Sequence, residues 1–113
     1  MTVNELSRKL ELNILAGTHE NLSKTVTGIY VCDLLSYAMA KVNQGDVWIT
    51  VHTNLNVVAV ASLTDCACVL IPDNIEIDDQ TIERANDKGV PFLSSTKSAA
   101  ELCYEIYETI KDK

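Results

Sequence analysis

Glycine is scarce in this 113-residue chain, and the four that occur, Gly17, Gly28, Gly45 and Gly89, stand far apart. A P-loop or dinucleotide fingerprint closes consecutive backbone amides on a phosphate, and that needs clustered glycines. No Gly-x-x-x-x-Gly-Lys-Ser/Thr and no Gly-x-Gly-x-x-Gly is present, which argues against ATP-dependent phosphoryl transfer. Histidine is limited to His19 and His52, and no Cys-x-x-Cys or histidine pair completes a four-ligand set. No metal and no cofactor is therefore expected. Nine basic residues face sixteen acidic ones, for a net charge of −7, and the basic ones are scattered. A nucleic-acid backbone or an anionic membrane calls for clustered Lys and Arg, so neither partner is expected. The longest apolar stretch, residues 57–63, falls far short of the ~18 residues a membrane span requires. Met1-Thr2-Val3-Asn4-Glu5 lacks the basic and apolar halves of a secretory signal. The expectation is a cytoplasmic protein whose Cys32, Cys66, Cys68 and Cys103 stay reduced.

What the chain does hold is core material, at 47% hydrophobic residues. A domain of this size buries roughly two thirds of its unfolded surface, enough to fold without staples. The most informative stretch runs from Gly45 to Asn54. A turn signal, Asn43-Gln44-Gly45-Asp46, leads into Val47-Trp48-Ile49-Thr50-Val51 and stops at His52-Thr53-Asn54. In an α/β protein such a run is a strand buried on both faces, here expected to be the central one. Polar residues at its carboxyl end sit where these folds bind ligands.

The remaining elements follow from periodicity and punctuation. Thr2-Val3-Asn4-Glu5 and Ser98-Ala99-Ala100-Glu101 fit capping boxes for a first helix over about 3–10 and a last one carrying Leu102, Cys103, Ile106 and Ile110. Lys111 and Lys113 would suit the negative end of that last helix. Asn13–Ala16 and Thr25–Cys32 read as strands, with Gly28 marking a bulge or a close backbone approach. Asp33 is expected to cap a helix bearing Ala38 and Val42. Residues 55–63 are rich in valine, yet a helix capped by Thr53 or Asn54 restores the β-α alternation. Cys66–Ile71 is a strand, whose Cys66 and Cys68 are expected on one side as core thiols. Asp78-Asp79 opens a helix closed by Lys88-Gly89, and Val90–Leu93 is a strand that Pro91 places at or near a sheet edge. The order α-β-β-α-β-α-β-α-β-α predicts one α/β domain over residues 1–113 with about five strands.

Candidate ligand contacts gather where strands end: Asp33 and Ser36; His52, Thr53, Asn54 and Asn56; Asp73 and Asn74; and Ser94. Each has a plainer role in capping, turn formation or solvation. Cys32, His52 and Asn54 would make a thiol hydrolase if neighbouring strands ended together. No nucleophile-elbow signature accompanies them, so catalysis is not expected.

Five segments together carry a family resemblance: Gly28-x-x-x-x-Asp33-Leu34-Leu35-Ser36, Gly45-Asp46-Val47-Trp48-Ile49-Thr50, Asn56-Val57-Val58-Ala59-Val60-Ala61, Cys68-Val69-Leu70-Ile71 and Ile82-x-x-Ala85-x-x-x-Gly89-Val90-Pro91. The chain resembles the DRTGG domain in its small stand-alone clostridial form. It is similar to the amino-terminal, non-kinase domain of HPr kinase/phosphorylase and, more remotely, to the amino-terminal domains of Mur ligases. The resemblance implies a three-layer α/β/α fold with a mixed, mostly parallel sheet, and a helix over 56–63. It also implies a non-catalytic regulatory or ligand-sensing role, since related domains accompany CBS pairs or a phosphotransacetylase. A small metabolite or nucleotide would be the ligand, and a homodimer the assembly. The alternative it suggests is a protein-interaction subunit of a metabolic or hydrogenase-associated redox system. Two positions depart from the family pattern. His52-Thr53-Asn54 stands where the family has Asp-Arg, and Pro72-Asp73-Asn74 where many members have Thr-Gly-Gly.

Overall fold

A computed structural model describes residues 1–111, so Lys113 lies outside the described residues. The elements run α1 (Val3–Lys9), β1 (Asn13–Ala16), β2 (Gly28–Val31), α2 (Leu35–Lys41), β3 (Asp46–Ile49), α3 (Leu55–Thr64), β4 (Cys68–Ile71), α4 (Asp79–Lys88), β5 (Phe92–Ser94) and α5 (Ala99–Ile110). The five strands form one mixed sheet in the order β1-β5-β4-β3-β2. β2 to β5 are parallel neighbours, and β1 pairs antiparallel on the outer side of β5.

Each parallel strand lies beside the one before it, and right-handed crossovers stepping one way put α2, α3 and α4 on the same face. Ala38, Val42, Val57, Val58, Val60, Ala61 and Ala85 there pack on Trp48, Val69, Ile71 and Phe92. On the other face, Val3, Leu6, Leu102 and Ile106 of the two outermost helices cover Val47, Ile49, Cys68, Leu70 and Leu93. The result is the three-layer α/β/α arrangement that the resemblance implied.

Residues 55–64 are helical, with Asn54 Oδ1 accepting from the Asn56 amide at 2.9 Å. α3 is enclosed between α2 and α4, which explains a valine-rich helix with no polar face: its flanks are buried as well as its sheet side. Val57, Val58 and Val60 are thus spent inside the chain. Both capping boxes form, at Thr2/Glu5 and at Ser98/Glu101.

Several expectations need correction. β3 is buried on both faces, but β4 holds the centre, because β1 adds itself beyond β5. β5 lies near the edge as expected, one strand in, but starts only at Phe92; Pro91 precedes it, so its missing donor interrupts no ladder bond, while its carbonyl accepts from Val69. β2 begins only at Gly28, in unbroken register with β3. Gly28 marks a close approach and no bulge: a Cβ there would meet the Asp46 carboxylate at 2.7 Å. Cys66 and Cys68 fall in opposite cores, because the strand starts only at Cys68 and two-residue alternation does not extend back to Cys66. Asp33 does not cap α2; Leu34 holds that position with no side-chain hydrogen bond.

Candidate functional site

The carboxyl ends of β2 to β5 form one rim, and antiparallel β1 brings its first residue, Asn13, to the same rim beside Ser94. This is the edge at which open α/β sheets hold ligands. The rim has two differently built halves.

At the β2/β3 half the polar side chains hold the backbone. Asp33 Oδ1 accepts from Thr50 Oγ1 and from the Val51 amide, both at 2.9 Å. Thr50 Oγ1 accepts in turn from the His52 amide at 3.2 Å. Trp48 Nε1 donates to the Cys32 carbonyl at 2.9 Å, and Thr81 Oγ1 to the Thr53 carbonyl at 3.0 Å. Leaving a parallel strand strands its last amides without partners; here Asp33 and Thr50 satisfy them. Asn54 is occupied as the cap of α3, while Ser36 and Asn56 are exposed on helices. The half-buried Cys32 thiol donates to the Leu34 carbonyl at 3.4 Å. Among the described residues the His52 ring makes no hydrogen bond, so nothing orients it toward that thiol. Burial pushes the Cys66 thiol up to about 12 and raises Cys68 well above its ordinary value. Both are inert core groups at neutral pH.

At the β4/β5 half the loops are pinned by backbone, which leaves side chains over. Asp73 and Asn74 are left-handed, at φ 60° and 55°. Short polar side chains tolerate that conformation best after glycine. The Asp73 amide donates to the Lys97 carbonyl at 2.9 Å, and Asn74 to the Ser95 carbonyl at 2.8 Å. Lys97 and Ser95 close the second loop through the Lys97 amide and Ser95 Oγ, at 3.1 Å.

Two cavities open here and share Asn13. One, of about 390 Å³, lies against α4 and is lined by Asn13, Leu15, Asn74, Ile75, Glu76, Ile77, Ile82 and Ser94. The other, of about 400 Å³, lies on the α1/α5 side and is lined by Lys9, Leu10, Glu11, Asn13, Ser95, Thr96, Lys97 and Glu105. Its Lys97 ammonium sits 2.7 and 2.8 Å from the two Glu105 oxygens, and that contact holds its pKa above the ordinary lysine value. A third and larger cavity, about 440 Å³, opens at the opposite, amino end of the strands. Its charged groups answer one another: Lys24 lies 3.8 Å from Asp65, and Gln44 Nε2 donates to Asp65 at 3.0 Å. The rim cavities are the better candidates despite their smaller size, because they lie at the carboxyl edge of the parallel strands.

Of the residues singled out from sequence, Asn74 and Ser94 line one cavity, and Asp73 belongs to the same loop. None of the three cavities is lined by Asp33, Ser36, His52, Thr53, Asn54, Asn56 or Asp73. Asn13, Lys9 and Lys97 went unnoticed. Asn13 begins an antiparallel strand, and only the pairing of β1 with β5 carries it to the ligand edge.

A family model, the DRTGG domain, matches residues 5–109. No curated protein matches the chain. Among solved structures it is similar to the CBS and DRTGG domains of the regulatory region of Clostridium perfringens pyrophosphatase, complexed with its activator diadenosine tetraphosphate. The TM-score is 0.67 at 10% identity, over 88% of this chain and 43% of that one. At such identity the likeness is one of fold. The chain spans less than half the length of that neighbour.

Proposed function

Because the chain belongs to the DRTGG domain family, we propose that it is a non-catalytic regulatory domain sensing a small metabolite or nucleotide at the β4/β5 half of its rim. The observation that carries this reading is the pair of cavities meeting at Asn13, at the edge where such sheets take ligands. The regulatory setting of the pyrophosphatase neighbour supports the same role. Ser36, His52, Thr53 and Asn56 remain part of the proposal as an extension of the site along the rim, reached by a larger ligand, while Asp33 and Asn54, offered beside them from sequence, stay occupied by the backbone. A thermal-shift panel of metabolites and nucleotides tests it. At least one compound raises Tm, and substitutions around Asn13 and Asn74 suppress the rise. A panel that shifts nothing, or hits indifferent to those substitutions, removes the reading.

A second reading, a homodimer or a protein partner in the cytoplasm, is favoured by one surface. Val31 on the edge strand β2, Leu34, Tyr37 and Met39 at and on α2, and Val51 just past β3 are all exposed, Leu34 at 65%. An unpaired strand edge beside apolar side chains invites pairing. Light scattering on the wild type and on Leu34→Glu tests it: the wild type forms a dimer and the variant a monomer. A wild type that is monomeric at micromolar concentration and recovers no partner ends it.

A further inference from the structure

The α4-side cavity has a chemistry narrower than "small metabolite". Its walls are aliphatic: Ile75, Ile77 and Ile82 are half-buried, packed on the core on one side and facing the cavity on the other. Ser94, only 8% exposed, forms part of its lining at the sheet. Two carboxamides, Asn13 and Asn74, stand at it on backbones that are already fixed. Asn13 pairs with Ser94 in the sheet, and Asn74 is tied to the Ser95 carbonyl. The one ionisable group in the lining is Glu76.

Aliphatic walls suit the apolar face of a ring, and carboxamides match a heterocycle edge that both donates and accepts, as Asn does on adenine. A volume near 390 Å³ suits a ligand at the small end of the usual range. A phosphate would face the Glu76 carboxylate in a chain of net charge −7, with no Lys or Arg in the lining to answer it. In the neighbouring cavity Lys97 is engaged by Glu105, while Lys9, with no ion pair among the described residues, lies beyond Asn13 and outside this lining.

We propose that this cavity binds an uncharged nucleobase or nucleoside carrying an exocyclic amino group, and discriminates against the phosphorylated form. The proposal rests on the rim reading above and sharpens it. Glu76 is the selectivity residue, accepting from the amino group and repelling phosphate.

Isothermal titration calorimetry with adenosine, cytidine and AMP decides the matter. In the wild type adenosine or cytidine binds, and AMP binds several-fold more weakly than adenosine. Asn13→Leu, an exposed position on the edge strand, weakens the nucleoside about tenfold, the worth of one good hydrogen bond. Glu76→Lys, in an exposed loop, narrows or reverses the penalty against AMP. AMP binding as tightly as adenosine in the wild type, with Asn13→Leu still weakening both, overturns the discrimination and leaves the rim reading standing. Nucleoside binding indifferent to both substitutions overturns the two together. No binding of any of the three overturns the nucleoside assignment alone, and the metabolite panel then decides the rim.

Discussion

The two halves of the rim look alike in sequence and differ in structure. After β3 come Thr50, His52, Thr53 and Asn54; after β4 come Asp73 and Asn74, and at the end of β5 Ser94 and Ser95. At the first half Asp33 and Thr50 receive the strand-exit amides, and the side chains are consumed by the fold. At the second, the two loops satisfy each other through backbone carbonyls of Ser95 and Lys97, and the side chains of Asn74 and Asn13 are left for a ligand. A polar residue at a strand end is thus free to bind only where something else has answered the backbone. A left-handed pair, Asp73-Asn74, makes that possible by turning the amides back toward the neighbouring loop.

Substitutions should separate the halves. The largest loss is expected for Trp48→Ala. It empties a fully enclosed site and leaves the Cys32 carbonyl without its indole donor, for a cost of about 3–5 kcal/mol in urea unfolding. Asp33→Ala should cost about 1 kcal/mol, at the low end for two hydrogen bonds because the carboxylate faces solvent. An unchanged midpoint would mean that Asp33 is free for a ligand after all, and the contrast would fail. Acid bears on α4, which borders the second half through Ile82 and ties to the first through Thr81. The Thr81 amide, donating at 2.8 Å, holds the Asp78 carboxyl below its ordinary pKa. The folded chain therefore takes up that proton less readily than the unfolded one. The contribution is whole above about pH 4 and is lost as pH falls through the depressed folded value. Asp78→Asn should flatten that part of the acid limb in urea melts across pH. Asn13→Leu should be smallest, within about 0.5 kcal/mol, since its side chain supports no part of the fold.

Much of the architecture was legible because it is written locally. Thr2/Glu5 and Ser98/Glu101 announce their helices, and the β-branched run around Trp48 announces a buried strand. The helix at 55–64 was readable from Asn54 and the alternation of elements, against the β propensity of its valines. The site was legible only in part, because its composition depends on strand order. That order comes from long-range pairing, and nothing near Asn13 says that it will stand beside Ser94. Asp33 misled for a related reason. It has the chemistry of a cap, but Thr50 and the Val51 amide, seventeen and eighteen residues on, compete for it and win.

The sheet's second face has an implication for synthesis. Val47, Ile49, Cys68, Leu70 and Leu93 are covered there by helices drawn from the two ends of the chain, and Leu102 and Ile106 belong to the very last of them. A nascent chain leaving the ribosome can assemble α1, its strands and three crossover helices while the part of that side that α5 covers remains oily and bare. Until the final segment emerges, that part is a surface for chaperones or for aggregation. A premature stop before Ala99 would therefore yield a sticky intermediate instead of a smaller working protein.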